Sequence, residues 1–259
     1  MRKLSRRRAV ASLGLLGAGG MLGVSAVSIS GQPTEGNSSG VQAEATASWT
    51  WRPIDPQRAA DKAYAIYPEG SCMYAVVGGI MLTLAEEYGE PYRSFPLHMM
   101  RYGRVGIGLW GTACGVFNGG AAVIGLFRGE KDPTVREALI SQLGTWYEKT
   151  ALPDYTPAEP AWADDIEPSV AGSVLCHVSV DRWCEKTGYD AYCMTKKERC
   201  RRLSAAGARK VAELLNKHAA DSEGKLTYSP ETRSCLECHG GSELNDIRGS
   251  MQCNTCHTE

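Results

Sequence analysis

The chain has 259 residues, 28 basic against 29 acidic and 43% hydrophobic, with ten cysteines and five histidines. Such a length and mixture suit a globular domain with a core of its own and exclude a fibrous or low-complexity chain. Neither sign of charge dominates, so composition alone gives no ground for a nucleic-acid surface.

The N-terminus opens MRKLSRRRAVASLGLLGAGGMLGVSAVSIS, with five basic residues in the first eight and no further Lys or Arg before Arg52. A charged start, an uncharged Gly- and Ala-rich run to about Ile29 and small-residue sites beyond it read as an export signal. Ser5-Arg6-Arg7-Arg8 resembles a twin-arginine signal, the route that carries folded proteins across the bacterial membrane. The run is long enough to span a bilayer, but its glycines make it weakly hydrophobic, so cleavage is expected, with Val41-Gln42-Ala43 and Ala45-Thr46-Ala47 as candidate junctions. Loss of residues 1–43 removes those five basic residues and Glu35, leaving 23 basic against 28 acidic residues, a net charge of −5. An acidic exported protein is suited to a basic redox partner and poorly suited to nucleic acid.

Helix signals dominate the next stretch, residues 44–222. Asp55-Pro56 opens QRAADKAYAIY, and Ser71 is placed to cap a second helix from Cys72 to Tyr88, with Met73, Val76, Val77, Ile80 and Leu84 near helical spacing. Residues 111–127, GTACGVFNGGAAVIGLF, are small and apolar nearly all round and predict a buried helix. Asp132-Pro133 opens another over TVREALISQLGTWYEKT. A Pro-rich connector runs from Leu152 to Pro168. A helix from about Ser169 carries Cys176, His177 and Trp183, and Thr195-Lys196-Lys197-Glu198 has a capping-box pattern opening a long helix to about His218. Trp110, Trp146 and Trp183 read as core residues. Few alternating runs occur, so the fold class is all-α, a helical cysteine-rich body followed by a short irregular tail over residues 223–259.

That tail writes Cys-x-x-Cys-His twice, at Cys235-Leu-Glu-Cys238-His239 and Cys253-Asn-Thr-Cys256-His257. Two chemistries use such pairs. Four thiolates can close on one zinc, or each copy can attach a c-type haem through both thiols, with the adjacent His on iron. A zinc ribbon needs no His after each pair, and covalent haem attachment belongs outside the cytoplasmic membrane, so export decides for two haems. Cys235, Cys238, Cys253 and Cys256 are then the covalent sites and His239 and His257 the proximal iron ligands.

The body holds Cys72, Cys114, Cys176, Cys184, Cys193 and Cys200. In an exported chain six thiols suit three disulfides; alternatively about four of them hold an iron–sulfur cluster, inserted before folded export. GLWGTACGVFNGGAAVIGL, centred on Gly111-Thr112-Ala113-Cys114-Gly115 and Gly119, resembles the glycine–cysteine signature of a family of redox-active bacterial proteins. The family pattern has an early Cys, the glycine-flanked Cys and two later ones. Cys72 in GSCMYAVVGG and Cys114 match the first two; LCHVSVDRWC and ERCRRLSAAGARKVAELL supply the others. With the doubled haem motif behind it, the mature chain resembles the split-Soret cytochromes c of anaerobic, sulfate-reducing bacteria.

The resemblance implies a homodimer with two haems c per chain, both bis-histidine ligated, lying close and nearly parallel. It also implies an iron–sulfur cluster, two-iron in type, with Cys72, Cys114, Cys176 and Cys200 as ligands and Cys184 as a rival to Cys176. Cys193 lies outside the pattern and could pair with Cys184 or have no role. Two such haems need four histidines. His177 and His218 are expected as the distal ligands and His98 as their rival, with Met99 and Met100 as weaker donors; a distal His could also come from the other chain. The implied function is electron transfer in the periplasm during anaerobic respiration, with another cytochrome or a reductase as partner and no membrane span after signal cleavage. A redox enzyme acting on a small oxyanion or peroxide through an open iron site is the alternative.

Overall fold

The computed structural model describes residues 49–128, 133–162, 165–218, 228–242 and 246–257. The expected export signal, Asp132 and part of the segment between body and tail lie outside the described residues. The architecture is mostly helical, as the sequence predicts. Helix α1 (Pro56–Tyr88) starts with Asp55 accepting from the Gln57 N–H at 2.9 Å and Pro56 at its first position. Pro68 interrupts its hydrogen bonding, and Ser71 leaves helical geometry altogether at φ 67. The two helices read from the sequence are therefore two limbs of one kinked element, hinged beside Cys72.

Helix α1 lies along α5 (Met194–Lys217), with α2 (Gly115–Arg128) against both and α3 (Pro133–Lys149) on α2. Met73, Ile80, Leu84, Val123, Ile124, Leu139, Leu143, Val211 and Leu215 fill the main core between them. Two short strands, β1 (Ala151–Leu152) and β2 (Ser169–Val170), pair antiparallel across the Pro-rich connector. Helix α4 (Cys176–Thr187) follows, so the helix expected from Ser169 begins seven residues later, after strand β2.

Three further expectations are corrected. Residues 111–114 are not helical: Cys114 donates its backbone N–H to Val174 O at 2.8 Å, and α2 begins only at Gly115. Helix α5 is capped by the Cys193 sulfur, which accepts from the Lys196 N–H at 3.3 Å, rather than by Thr195, which is buried inside the first turn. Trp110 is 84% exposed and is no core residue, whereas Trp183 is fully buried with its indole N–H on Glu167 O.

The tail holds a helix of its own, α6 (Pro230–His239), where Ser229 accepts from the Thr232 N–H and Pro230 takes the first position. Beyond it the described residues are irregular apart from a turn at Cys253–Thr255. It is fastened to the body at several points: Lys149 pairs with Glu231 at 2.9 Å, Gln252 donates its N–H to Glu148, and Thr255 donates its hydroxyl to Gly172 O. Among the described residues no helix is long and apolar enough to cross a membrane.

Candidate metal and haem sites

Cys72, Cys114, Cys176 and Cys200 come from four different helices or their approaches, and all are buried in one apolar nucleus with Val76, Val116, Tyr147 and Leu203. Cys72 follows the α1 kink, Cys114 precedes α2, Cys176 opens α4, and Cys200 sits in the second turn of α5. The thiols form two hydrogen-bonded pairs, Cys72 donating to Cys200 and Cys176 to Cys114. Among the described residues no three Cys, His, Asp or Glu side chains are close enough to share a single metal ion. The arrangement is two thiol pairs, not one tetrahedral set.

The signature glycines have physical reasons. A Cβ on Gly115 would lie 2.8 Å from Gly103 O and from Met73 N, and 2.9 Å from Cys72 Cβ. Only a glycine lets the start of α2 come this close to the α1 kink, and so brings Cys114 beside Cys72. Gly111 adopts φ +70, which favours glycine, at the end of a turn in which Val105 to Leu109 also have positive φ.

Electrostatics separate the quartet from an ordinary apolar core. The hydrogen bond from Cys72 pulls the Cys200 thiol down to about 5 against the cost of burial, with Arg199 assisting. The bond from Cys176 likewise lowers Cys114 to about 7. Their donors Cys72 and Cys176 shift well upward, through the same bonds and burial. Arg199 is 1% exposed. Its guanidinium donates to Ser179 O and Oγ at 3.2 and 2.8 Å and lies 4.0 Å from the Cys200 sulfur. Burial works against that positive charge, but Cys200, Tyr147 and Cys114 outweigh it and hold Arg199 protonated. Its sequence neighbour Glu198 is no counter-charge, being taken by Arg202 at 2.8 Å and Tyr64 at 2.7 Å. A buried guanidinium without a carboxylate is tolerable only where negative charge resides on the sulfurs. Disulfides supply none; a thiolate at Cys200 does, free or bound to metal. The quartet fits an iron–sulfur group.

Cys184 and Cys193 stand apart from this nucleus. Both are partly exposed, and burial followed by the proximity of Cys193 raises the Cys184 thiol.

The tail motifs fit covalent haem. On α6, Cys235, Cys238 and His239 fall at i, i+3 and i+4, one face of a helix. The second motif closes a similar turn, with Cys256 and His257 both donating backbone N–H to Cys253 O at 3.1 Å. Cys238, Cys256, His239 and His257 are exposed, so large groups can reach them. The Cys253 thiol is raised by burial and by its hydrogen bond with Cys235, so the two motifs meet at their first cysteines. A cavity of about 610 Å³ beside α6 is lined by Arg233, Leu236, Ile247 and Arg248.

Of the three remaining histidines, His177 is the best prepared. It is exposed, and its Nδ1 lies 2.9 Å from Gly111 O. As a donor in that bond, Nδ1 leaves Nε2 as the free lone pair, the tautomer a metal-bound imidazole needs. A Cβ on Gly111 would sit 3.3 Å from His177 Cβ, a second reason for glycine there. His218 closes α5, buried, with Nδ1 unpartnered. His98 and Met99 are exposed on the turn Leu97–Gly103, and Met100 is buried. Arg199 is the residue that sequence reasoning missed, because ERCRRL reads as an ordinary basic helix face.

A helical body enclosing four signature cysteines defines a class of bacterial redox proteins. The family model described as "Putative redox-active protein (C_GCAxxG_C_C)" matches residues 72–214, and the chain belongs to this family. It is 34% identical to the split-Soret cytochrome c of Desulfovibrio desulfuricans, over 98% of this chain and 95% of that one. It is also similar to a solved structure described as "A novel iron centre in the split-Soret cytochrome c from Desulfovibrio desulfuricans ATCC 27774". That likeness has a TM-score of 0.75 at 34% identity and covers 82% of this chain and 91% of the other.

Proposed function

We propose that the chain is a periplasmic dihaem cytochrome c that carries electrons and holds a two-iron sulfur centre in its body. The observation that carries the reading is Arg199, a buried cation that faces Cys200 first and has no carboxylate partner among the described residues. Cys72 with Cys200 and Cys114 with Cys176 would each serve one iron. Cys235, Cys238, Cys253 and Cys256 would attach two haems, with His239 and His257 as proximal ligands. His177 is the distal ligand that its exposed, Nδ1-anchored ring supports, and the unpartnered nitrogen of buried His218 makes it the candidate for the second haem.

When bound, these groups supply one-electron oxidation and reduction. The chain's own part is to orient them. Gly111 O fixes the ring of His177, and the Arg199 charge favours thiolate at Cys200. Cys176 turns into the quartet while its neighbour His177 faces out, so one peptide unit joins two candidate ligand positions. Histidine on both faces of an iron leaves no position open for substrate, which favours a carrier over the reductase alternative. By its likeness to the split-Soret cytochrome c, the chain would work as a homodimer, exported by the twin-arginine signal of residues 1–43, with another cytochrome or a reductase as partner.

The test is the visible spectrum of the exported protein, oxidised and reduced, with iron and haem measured on one sample. Two low-spin haems per chain and iron in excess of haem are expected. Iron equal to haem would return the body cysteines to disulfides. A high-spin haem that binds carbon monoxide in the native protein would favour the enzyme.

A further inference from the structure

A second cavity, of about 340 Å³, opens on the quartet's other side, between the α1 kink, the turn at Arg104 and the start of α5. Four cations line it: Arg104, Lys196, Lys197 and Arg201. Among the described residues none of the four is ion-paired. The acid in its lining, Glu198, is already held by Arg202 and Tyr64. Arg201 is fixed in place, donating to Tyr64 O at 2.7 Å with its guanidinium 4.0 Å over the Tyr64 ring. Lys196 and Lys197 stand in the first turn of a 24-residue helix with no acidic residue there, the end at which the helix dipole disfavours cations. So much positive charge without an ion-pair partner among the described residues, around one concavity, is a cost that a bound anion would offset.

The remaining walls are apolar. Trp162, Val105 and Met194 line the cavity and are each more than a third exposed. Its volume is generous for a bare inorganic ion and falls in the lower range of small-molecule sites. Tyr67 also lines it and is hydrogen-bonded to Cys72, while Lys196 is close enough to act electrostatically on Cys200. We infer that this cavity is a binding site for a small organic anion, its carboxylate, sulfonate or phosphate head held by the four cations and its body against Trp162 and Val105. The inference stands apart from the carrier reading, because it rests on the cavity and not on any cofactor.

Isothermal titration calorimetry of the full exported protein tests it, with phenyl phosphate and inorganic phosphate as probes. Saturable binding at one site per chain is expected, tighter for phenyl phosphate. The double variant Lys196→Gln/Lys197→Gln should weaken it by roughly tenfold or more, the effect of about 1.4 kcal/mol. Arg136→Gln/Lys217→Gln removes the same charge elsewhere and should leave it unchanged. Should the first double variant not fold, Arg104→Gln, on a surface turn, serves in its place with the same expected direction. No saturable binding, equal weakening by both double variants, or equal affinity for the two probes would overturn the inference.

Discussion

Replacing Arg199 by methionine separates a thiolate centre from a disulfide core by the sign of its effect. Methionine keeps much of the side-chain volume and removes the charge and the hydrogen bonds to Ser179. If the quartet carries iron-bound thiolates, the change strips a fully buried counter-charge, and breaking one side of such a pair costs about 3–5 kcal/mol. For a body of this size that is a fall in Tm of roughly 10 °C, with loss of bound iron. If the sulfurs are uncharged, the guanidinium is an isolated buried charge, and its removal is neutral or stabilising. The assay is thermal unfolding by circular dichroism with iron content on the same samples, for wild type and variant, before and after chelation of iron. The penalty should be larger before chelation than after it, because Cys200, held at about 5, stays a thiolate beside Arg199 once iron is gone. A variant as stable as wild type in the iron-loaded form would refute the counter-charge argument.

Other outcomes follow from particular contacts. Gly115→Ala, with a Cβ at 2.8 Å from two backbone atoms, should cost about 1–3 kcal/mol in overpacking and lower iron retention, measured by denaturation midpoint and iron per chain. His177→Ala should convert one haem to a high-spin form that binds carbon monoxide, visible in the absorption spectrum, whereas His98→Ala should not. Cys184→Ser and Cys193→Ser should keep the full iron content, because both residues lie outside the buried nucleus; loss of iron in either would make it a ligand.

Much of the helical plan was legible because it depends on local chemistry. Asp55-Pro56 marks a real helix start, and Ser71 marks the break in α1, there as a positive-φ hinge rather than a simple cap. Both Cys-x-x-Cys-His motifs are visible in five residues each. The legible part ends where long-range contacts decide. Residues 111–114 have the composition of a buried helix, but Cys114 and Thr112 bond across to Val174 and Cys176 and hold that stretch extended. Cys193 took the capping position from Thr195 because a sulfur two residues earlier could accept the same kind of bond. The convergence of the four cysteines came from the resemblance, since sequence spacing carries no information on which of six thiols meet. Arg199 could not be singled out at all, because nothing local distinguishes it from Arg201 or Arg202 on the same helix.

The adjacency of Cys176 and His177 has a mechanical consequence. Within the quartet the separation of one sulfur from the next depends on packing, which loosens with heat and shifts with substitution. Here it is bounded by one peptide unit and two short side chains. The backbone is pinned by hydrogen bonds from the Cys176 and His177 N–H groups to Thr112 and Gly111 carbonyls, at 2.7 and 3.2 Å. Thermal breathing of the helices can carry this pair as a body but can scarcely stretch it. Distance between the buried sulfur and the surface imidazole is thereby bounded by covalent geometry, whatever the surrounding core does.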